Sequence, residues 1–151
     1  ILKKNYPEVS SFRDANREML ESHKLDFSPK VYNRCDYVIA EGERMSKATQ
    51  ALQNSDMNLF GELMYQTHDG LQNLYEVSCE ELDFLVDLTR NDSRIIGSRM
   101  MGGGFGGCTI NLIQKDAMEE IKDRIIAEYK NKFGLKPTYY NVSITEGCSV
   151  I

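Results

Sequence analysis

An α+β fold, with one antiparallel sheet of about four strands and helices on one face, is what this sequence predicts. Two observations carry the prediction. Across the first two thirds of the 151 residues, apolar side chains recur every three or four positions. The last third switches to strict alternation on either side of a glycine cluster. The composition, 41% apolar and 27% charged, is that of one folded domain and not of a disordered tail. No apolar run approaches the roughly 20 residues of a membrane-spanning helix, so no membrane partner is expected. A net charge of −5 argues against a nucleic-acid partner, which would need a surplus of Lys and Arg. An anionic ligand would require a local device such as a nest of backbone amides or one placed Arg.

The elements follow in order. A short amphipathic segment is expected from about Ser11 to Ser22, with Phe12, Ala15, Met19 and Leu20 on one side. A long helix then starts at Ser28, a natural N-cap, with Pro29 at the first helical position, where its missing N–H would be unpaired anyway. Its apolar stripe reads Val31, Cys35, Val38, Gly42, Met45, Ala48, Leu52, and Asn54 and Ser55 break it. A third helix spans about 56–73, with Phe60, Met64, His68, Leu71 and Tyr75 on one face. The run Ser78-Cys79-Glu80-Glu81 predicts a capping box, with Val77 and Leu82 as its hydrophobic staple.

Ile95 and Ile96 open a strand before the glycines, and Cys108, Ile110 and Leu112 alternate after them. Asp116 and Glu119 begin a helix with Met118, Ile121, Ile125 and Tyr129 on its face, stopped at Gly134 with Pro137 beyond. Tyr140, Val142 and Ile144 alternate once more, and Cys148 to Ile151 form a final strand.

Six of the 11 glycines lie between Gly97 and Gly107, five of them in Gly102-Gly103-Gly104-Phe105-Gly106-Gly107. Such a run fits either a nest of amides near phosphate oxygens or a tight loop packed on its own or another domain. The dinucleotide fingerprint is spelled by Gly102, Gly104 and Gly107, yet a strand follows where that motif needs a helix. No Gly-Lys-Ser/Thr follows either, so a P-loop is excluded. Cys35, Cys79, Cys108 and Cys148 form no Cys-x-x-Cys pair and read as small buried hydrophobes in a reducing cytosol; no metal site is expected. His68 reads as a hydrogen-bonded core residue. For Arg99, a structural ion pair with backbone contacts is preferred to a phosphate contact.

Residues 97–109, Gly-Ser-Arg-Met-Met-Gly-Gly-Gly-Phe-Gly-Gly-Cys-Thr, resemble the third signature of the GHMP kinases in its galactokinase form. The segment from Tyr75 through Glu76, Val77, Ser78, Cys79, Glu80, Glu81 and Leu82 to Asp83 is similar to the stretch that precedes it there. Arg34, Cys35, Asp36, Tyr37 and Val38, with Glu41, resemble the start of that family's long helix. Met101 departs from the pattern, since many members carry Thr there, and no ligand contact is assigned to it.

The resemblance implies a ferredoxin-like GHMP kinase C-terminal domain over residues 1–151, of a protein whose amino-terminal catalytic half is not in this chain. The chain opens on Ile1 with no leader pattern, and a segment cut from a longer cytoplasmic protein is the expectation. The whole enzyme would phosphorylate galactose at its anomeric hydroxyl using ATP and Mg2+. No catalytic residue is expected in this chain, and the chain alone should be inactive. Arg99, Gly102, Gly103, Gly104, Phe105, Gly106 and Gly107 would line the nucleotide and sugar cleft against the missing domain. Two alternatives are a galactokinase-like sensor of sugar and nucleotide without turnover, and a free-standing ferredoxin-like ligand-binding module. On the kinase reading Met100, Met101 and Phe105 should lie exposed, Gly104→Val should cost catalysis more than folding, and Cys108→Ala should do the reverse.

Overall fold

The computed structural model describes residues 1–143 and 145–147. Six α-helices and two strands are present among them. After a single turn, α1 (Leu2–Asn5), the first amphipathic segment is shorter than expected: α2 runs from Arg17 to Ser22. The reason is local. The Asp14 carboxylate accepts from the Ser10 amide, the Ser10 hydroxyl and the Ser11 amide at 2.7–3.0 Å, closing a turn that competes with helix. Asn16 then caps α2 through the Met19 amide at 2.9 Å.

The long helix α3 (Pro29–Gln53) begins as its cap predicts, with Ser28 accepting from the Val31 amide. Its buried face is not the expected stripe. Tyr37, Ile39, Ala40 and Ala51 are buried, whereas Val31, Met45 and Leu52 are exposed. The partner decides this. In α4 (Met57–Gly70), Gly70 leaves room only for the ring of Tyr37, which also packs at 5.3 Å on Tyr75. Thr67 of α4 donates to Glu41 at 2.9 Å. Helix α4 is capped by Asp56 and ends in a π-helical turn, Leu71–Tyr75.

Helix α5 (Glu80–Asp87) lacks the expected capping box. Ser78 donates instead to the side chain of Asp83, five residues on in the first turn of α5, and no side chain caps the helix amides. Strands β1 (Ile95–Met101) and β2 (Cys108–Ile113) pair antiparallel, Ser98 opposite Asn111 and Met101 opposite Cys108, with an irregularity between Ile95 and Gly97. Helix α6 (Met118–Phe133) stops at Gly134, whose φ is +69°. Ile95, Ala117 and Ile121 form a core with Ile113 and Ile125.

The sheet therefore has two strands among the described residues, not about four. Tyr140 and Val142 alternate as expected, but no strand forms over 139–143, and both side chains are exposed. Alternation assigns side chains to faces; a strand also needs a neighbour's free backbone groups. The expected positions Ile144 and Cys148–Ile151 lie outside the described residues.

An ion-pair network joins the approach to β1 to α6. Asp92 receives Arg94 and Arg124, and Arg94 also reaches Glu120 at 2.8 Å. Hydrogen bonds from the Arg94 side chain and amide hold the Asp92 carboxyl at about 2. The shift is downward, so its stabilisation is full above the ordinary carboxylate range and disappears as pH falls toward 2. Asp92→Asn is expected to lower the melting temperature at neutral pH, and the gap to the parent should close on acidification. A gap independent of pH would show that the charge contributes nothing.

Candidate functional site: the glycine loop

The loop joining β1 to β2 is built of backbone that ordinary residues avoid. Gly102, Gly104, Gly106 and Gly107 have φ of +100°, +93°, +134° and +109°, and Phe105 between them adopts +59°. Glycine is required where that angle coincides with a close approach, and Gly104 is such a place: an added Cβ would lie 2.3 Å from the Val77 carbonyl oxygen. The same oxygen accepts from the Phe105 amide at 2.7 Å. Val77, which immediately precedes Ser78, is thus the seat of the loop.

Of the amides from Gly102 to Gly106, only that of Phe105 donates to another group among the described residues. The others are free to face an anion, the arrangement a nest requires. Phe105 is 78% exposed and Met101 44%, the exposure expected of both. Met100 is a correction: it is 1% exposed, because after the irregularity in β1 its side chain turns into the core. Arg99 donates to the Met100 carbonyl at 3.1 Å, so the expected backbone contact is present, while no carboxylate pairs with it among the described residues.

Behind the loop an open cavity of about 230 Å³ is lined by Cys79, Leu85, Phe105, Gly106 and Tyr129, with Glu81 at its edge. Burial pushes the Cys79 thiol up, away from the thiolate a nucleophile needs. Cys35 and Cys79 are half-buried, but Cys108 is exposed, contrary to expectation, and Cys148 lies outside the described residues. The alternating side chains of β2 find no covering layer at its first residue. Cys108→Ala is therefore expected to change unfolding free energy by less than about 0.5 kcal/mol in a urea titration; a loss near 2 kcal/mol would mean the sulfur is covered in the whole protein.

His68 was expected in the core and is 1% exposed. Its Nδ1 accepts from the Met100 amide at 3.2 Å, one residue before the end of β1. Its Nε2 stands 3.3 Å from Asp83. Neither that contact nor the role of Val77 is legible in the sequence; a histidine on an apolar stripe is the one signal that a polar partner waits on a neighbouring element. No group of three His, Cys, Asp or Glu stands within metal-binding reach among the described residues. No helix among them is long and apolar enough to cross a membrane.

A helical layer on an antiparallel sheet, with a glycine loop presenting free amides, has counterparts among small-molecule kinases. The family model for the C-terminal domain of GHMP kinases matches residues 48–131, and the chain belongs to that family. Within it the chain is similar to galactokinases. It is 40% identical to the galactokinase of Thermotoga petrophila over 141 residues, which is 93% of this chain and 39% of that protein. It is 37% identical to that of Clostridium acetobutylicum over 148 residues, 98% of this chain and 38% of that protein. The crystal structure of Lactococcus lactis galactokinase complexed with galactose superposes with a TM-score of 0.85 at 26% identity, covering 92% of this chain and 36% of that one. The chain thus spans about 39% of the length of the first of these relatives.

Proposed function

We propose that this chain is the carboxy-terminal half of a galactokinase, whose whole length transfers the γ-phosphoryl group of ATP to the anomeric hydroxyl of galactose. One observation carries the reading: similarity to galactokinases covers 93% of this chain yet only 39% of the relative. In that reaction a bond forms between the anomeric oxygen and the γ-phosphorus. The bridging β–γ bond breaks, ADP leaves, and the hydroxyl proton passes to a base in the amino-terminal half. Mg2+ bound with ATP supplies charge neutralisation.

The part assigned to this chain is positioning. Free amides between Gly102 and Gly106 face the cleft and offer donors to phosphate oxygens without a side chain intervening. Phe105 and Met101 become covered by the amino-terminal domain, and Arg99 holds the end of β1 through the Met100 carbonyl. Domain limits of 1–151 and a cytoplasmic setting belong to the same reading.

The test is ADP release, dependent on both ATP and galactose, by the full-length protein and by the 151-residue chain. Turnover is expected from the first and none from the second. Turnover by the chain alone would end this division of labour. Binding of both ligands by the full-length protein without turnover would assign it to sugar and nucleotide sensing.

A further inference from the structure

Six residues from three segments of the chain close a ring through the glycine loop. The Met100 amide donates to Nδ1 of His68 at 3.2 Å. The other ring nitrogen faces Oδ1 of Asp83 at 3.3 Å. That same oxygen accepts from the Ser78 hydroxyl. Ser78 is joined covalently to Val77, whose carbonyl accepts from the Phe105 amide at 2.7 Å. Met100 lies one residue before the end of β1 and Phe105 in the middle of the glycine run, with Met101 to Gly104 between them. We propose that His68 is the positioning residue of the glycine loop, and that Asp83 and Ser78 tie its contact at the end of β1 to the Val77 contact in mid-loop, so that the six form one clasp.

Three features support a clasp over a chance core contact. A segment this rich in glycine has many backbone states even where the Met101–Cys108 pair closes its ends, and the Phe105–Val77 bond is the anchor within it. His68 stands seven residues after Gly61, two turns along the same face of α4, and Gly61 is pressed against the Ile96 carbonyl of β1. The ring is therefore aimed at β1 by backbone packing. Finally, Nε2 is enclosed, and no group meets it in hydrogen-bond geometry among the described residues; the Asp83 oxygen is its electrostatic neighbour. A buried N–H left in that state in a native core calls for a reason, and holding Nδ1 free of a proton supplies one.

The clasp needs neutral His68, with its proton on Nε2 and its acceptor on Nδ1. Burial, helped by Arg90 after α5, outweighs Asp83 and Asp87 on α5 and Asp69 on α4 and holds the ring's pKa below the ordinary histidine value. Because the shift is downward, the neutral state is stable at physiological pH and is lost as pH falls through the depressed value. Protonation would set an N–H against the Met100 amide and open the clasp.

The experiment is amide hydrogen exchange on the full-length protein, read at Met100 and Phe105. His68→Phe fills the ring's volume without an acceptor and is expected to speed exchange at both amides by about tenfold. Phe105 loses no bond of its own in this variant, so its response reports the clasp. His68→Asn keeps an acceptor near the Nδ1 position and should restore protection. Asp83→Ala, which leaves the Met100 bond intact, should speed exchange at Phe105. Faster exchange at Met100 alone would overturn the proposal. Where a variant fails to fold, nitrogen-15 spectra of the unaltered protein decide: a neutral Nε2–H ring is expected, and an Nδ1–H ring refutes the clasp. The link to ATP rests on the kinase reading above, and KM for ATP tests it separately. Altered exchange with unchanged KM would uphold the clasp and place the loop outside the nucleotide cleft.

Discussion

Gly61→Ala is expected to cost the protein about 4 kcal/mol or more of stability, a large share of what an ordinary domain has. An alanine Cβ would lie 1.8 Å from the Ile96 carbonyl oxygen and 2.5 Å from its carbon. Both are backbone atoms of β1, so no side chain can swing aside. The reciprocal position is as tight: a Cβ on Gly97 would meet the Gly61 Cα at 2.5 Å. Either substitution must lift α4 off β1, and overpacking penalties grow when the obstacle is backbone. Gly42→Ala is the control. Nothing stands within 4 Å of that position, which is exposed on α3, so replacing glycine in a helix should stabilise by roughly 0.5–1 kcal/mol. Urea titrations of the three proteins, compared at equal m-value, separate the cases. A Gly61→Ala midpoint equal to the parent's would mean that α4 and β1 adjust freely, and the backbone contact would not be a constraint.

Gly104→Val is the second large effect. The new side chain meets the Val77 carbonyl oxygen at 2.3 Å and its Cβ at 2.7 Å, at a φ of +93° that a β-branched residue does not tolerate. The loop must leave its seat, and with it the free amides on either side. On the kinase reading, kcat/KM is expected to fall by about 100-fold, the scale of a misplaced positioning group. From the sequence, catalysis is expected to suffer more than folding. The contact with Val77 adds a folding cost of its own, because the clash is within this chain and lies at the start of the segment leading into α5. A loss of roughly 1–3 kcal/mol should accompany the kinetic defect. Gly102→Ala supplies the comparison: its φ is +100° but nothing stands within 4 Å, so it carries backbone strain without collision. Wild-type kcat/KM in Gly104→Val would show that the loop is only a turn.

What the sequence by itself determined are the features settled within a turn or two of chain. Ser28 and Pro29 start α3, Asp56 starts α4, Gly134 ends α6, and alternation marks β2. A cap or a positive φ needs no distant partner, so residue type suffices. The glycine loop was legible for the same reason, and its run of 13 residues, 97–109, carried the family resemblance. Only the tertiary structure decided which surfaces meet. The apolar stripe of α3 pointed to Val31, Met45 and Leu52, but Tyr37 against Gly70 and Thr67 on Glu41 fixed a different face. Met100 turned inward and Cys108 outward, because burial along a strand depends on what covers each face, which is a property of other elements. The seat of the loop on Val77 and the His68 contact join positions 27 and 32 residues apart. Contacts at that separation follow from how α4 and α5 dock on β1, and no local propensity encodes them.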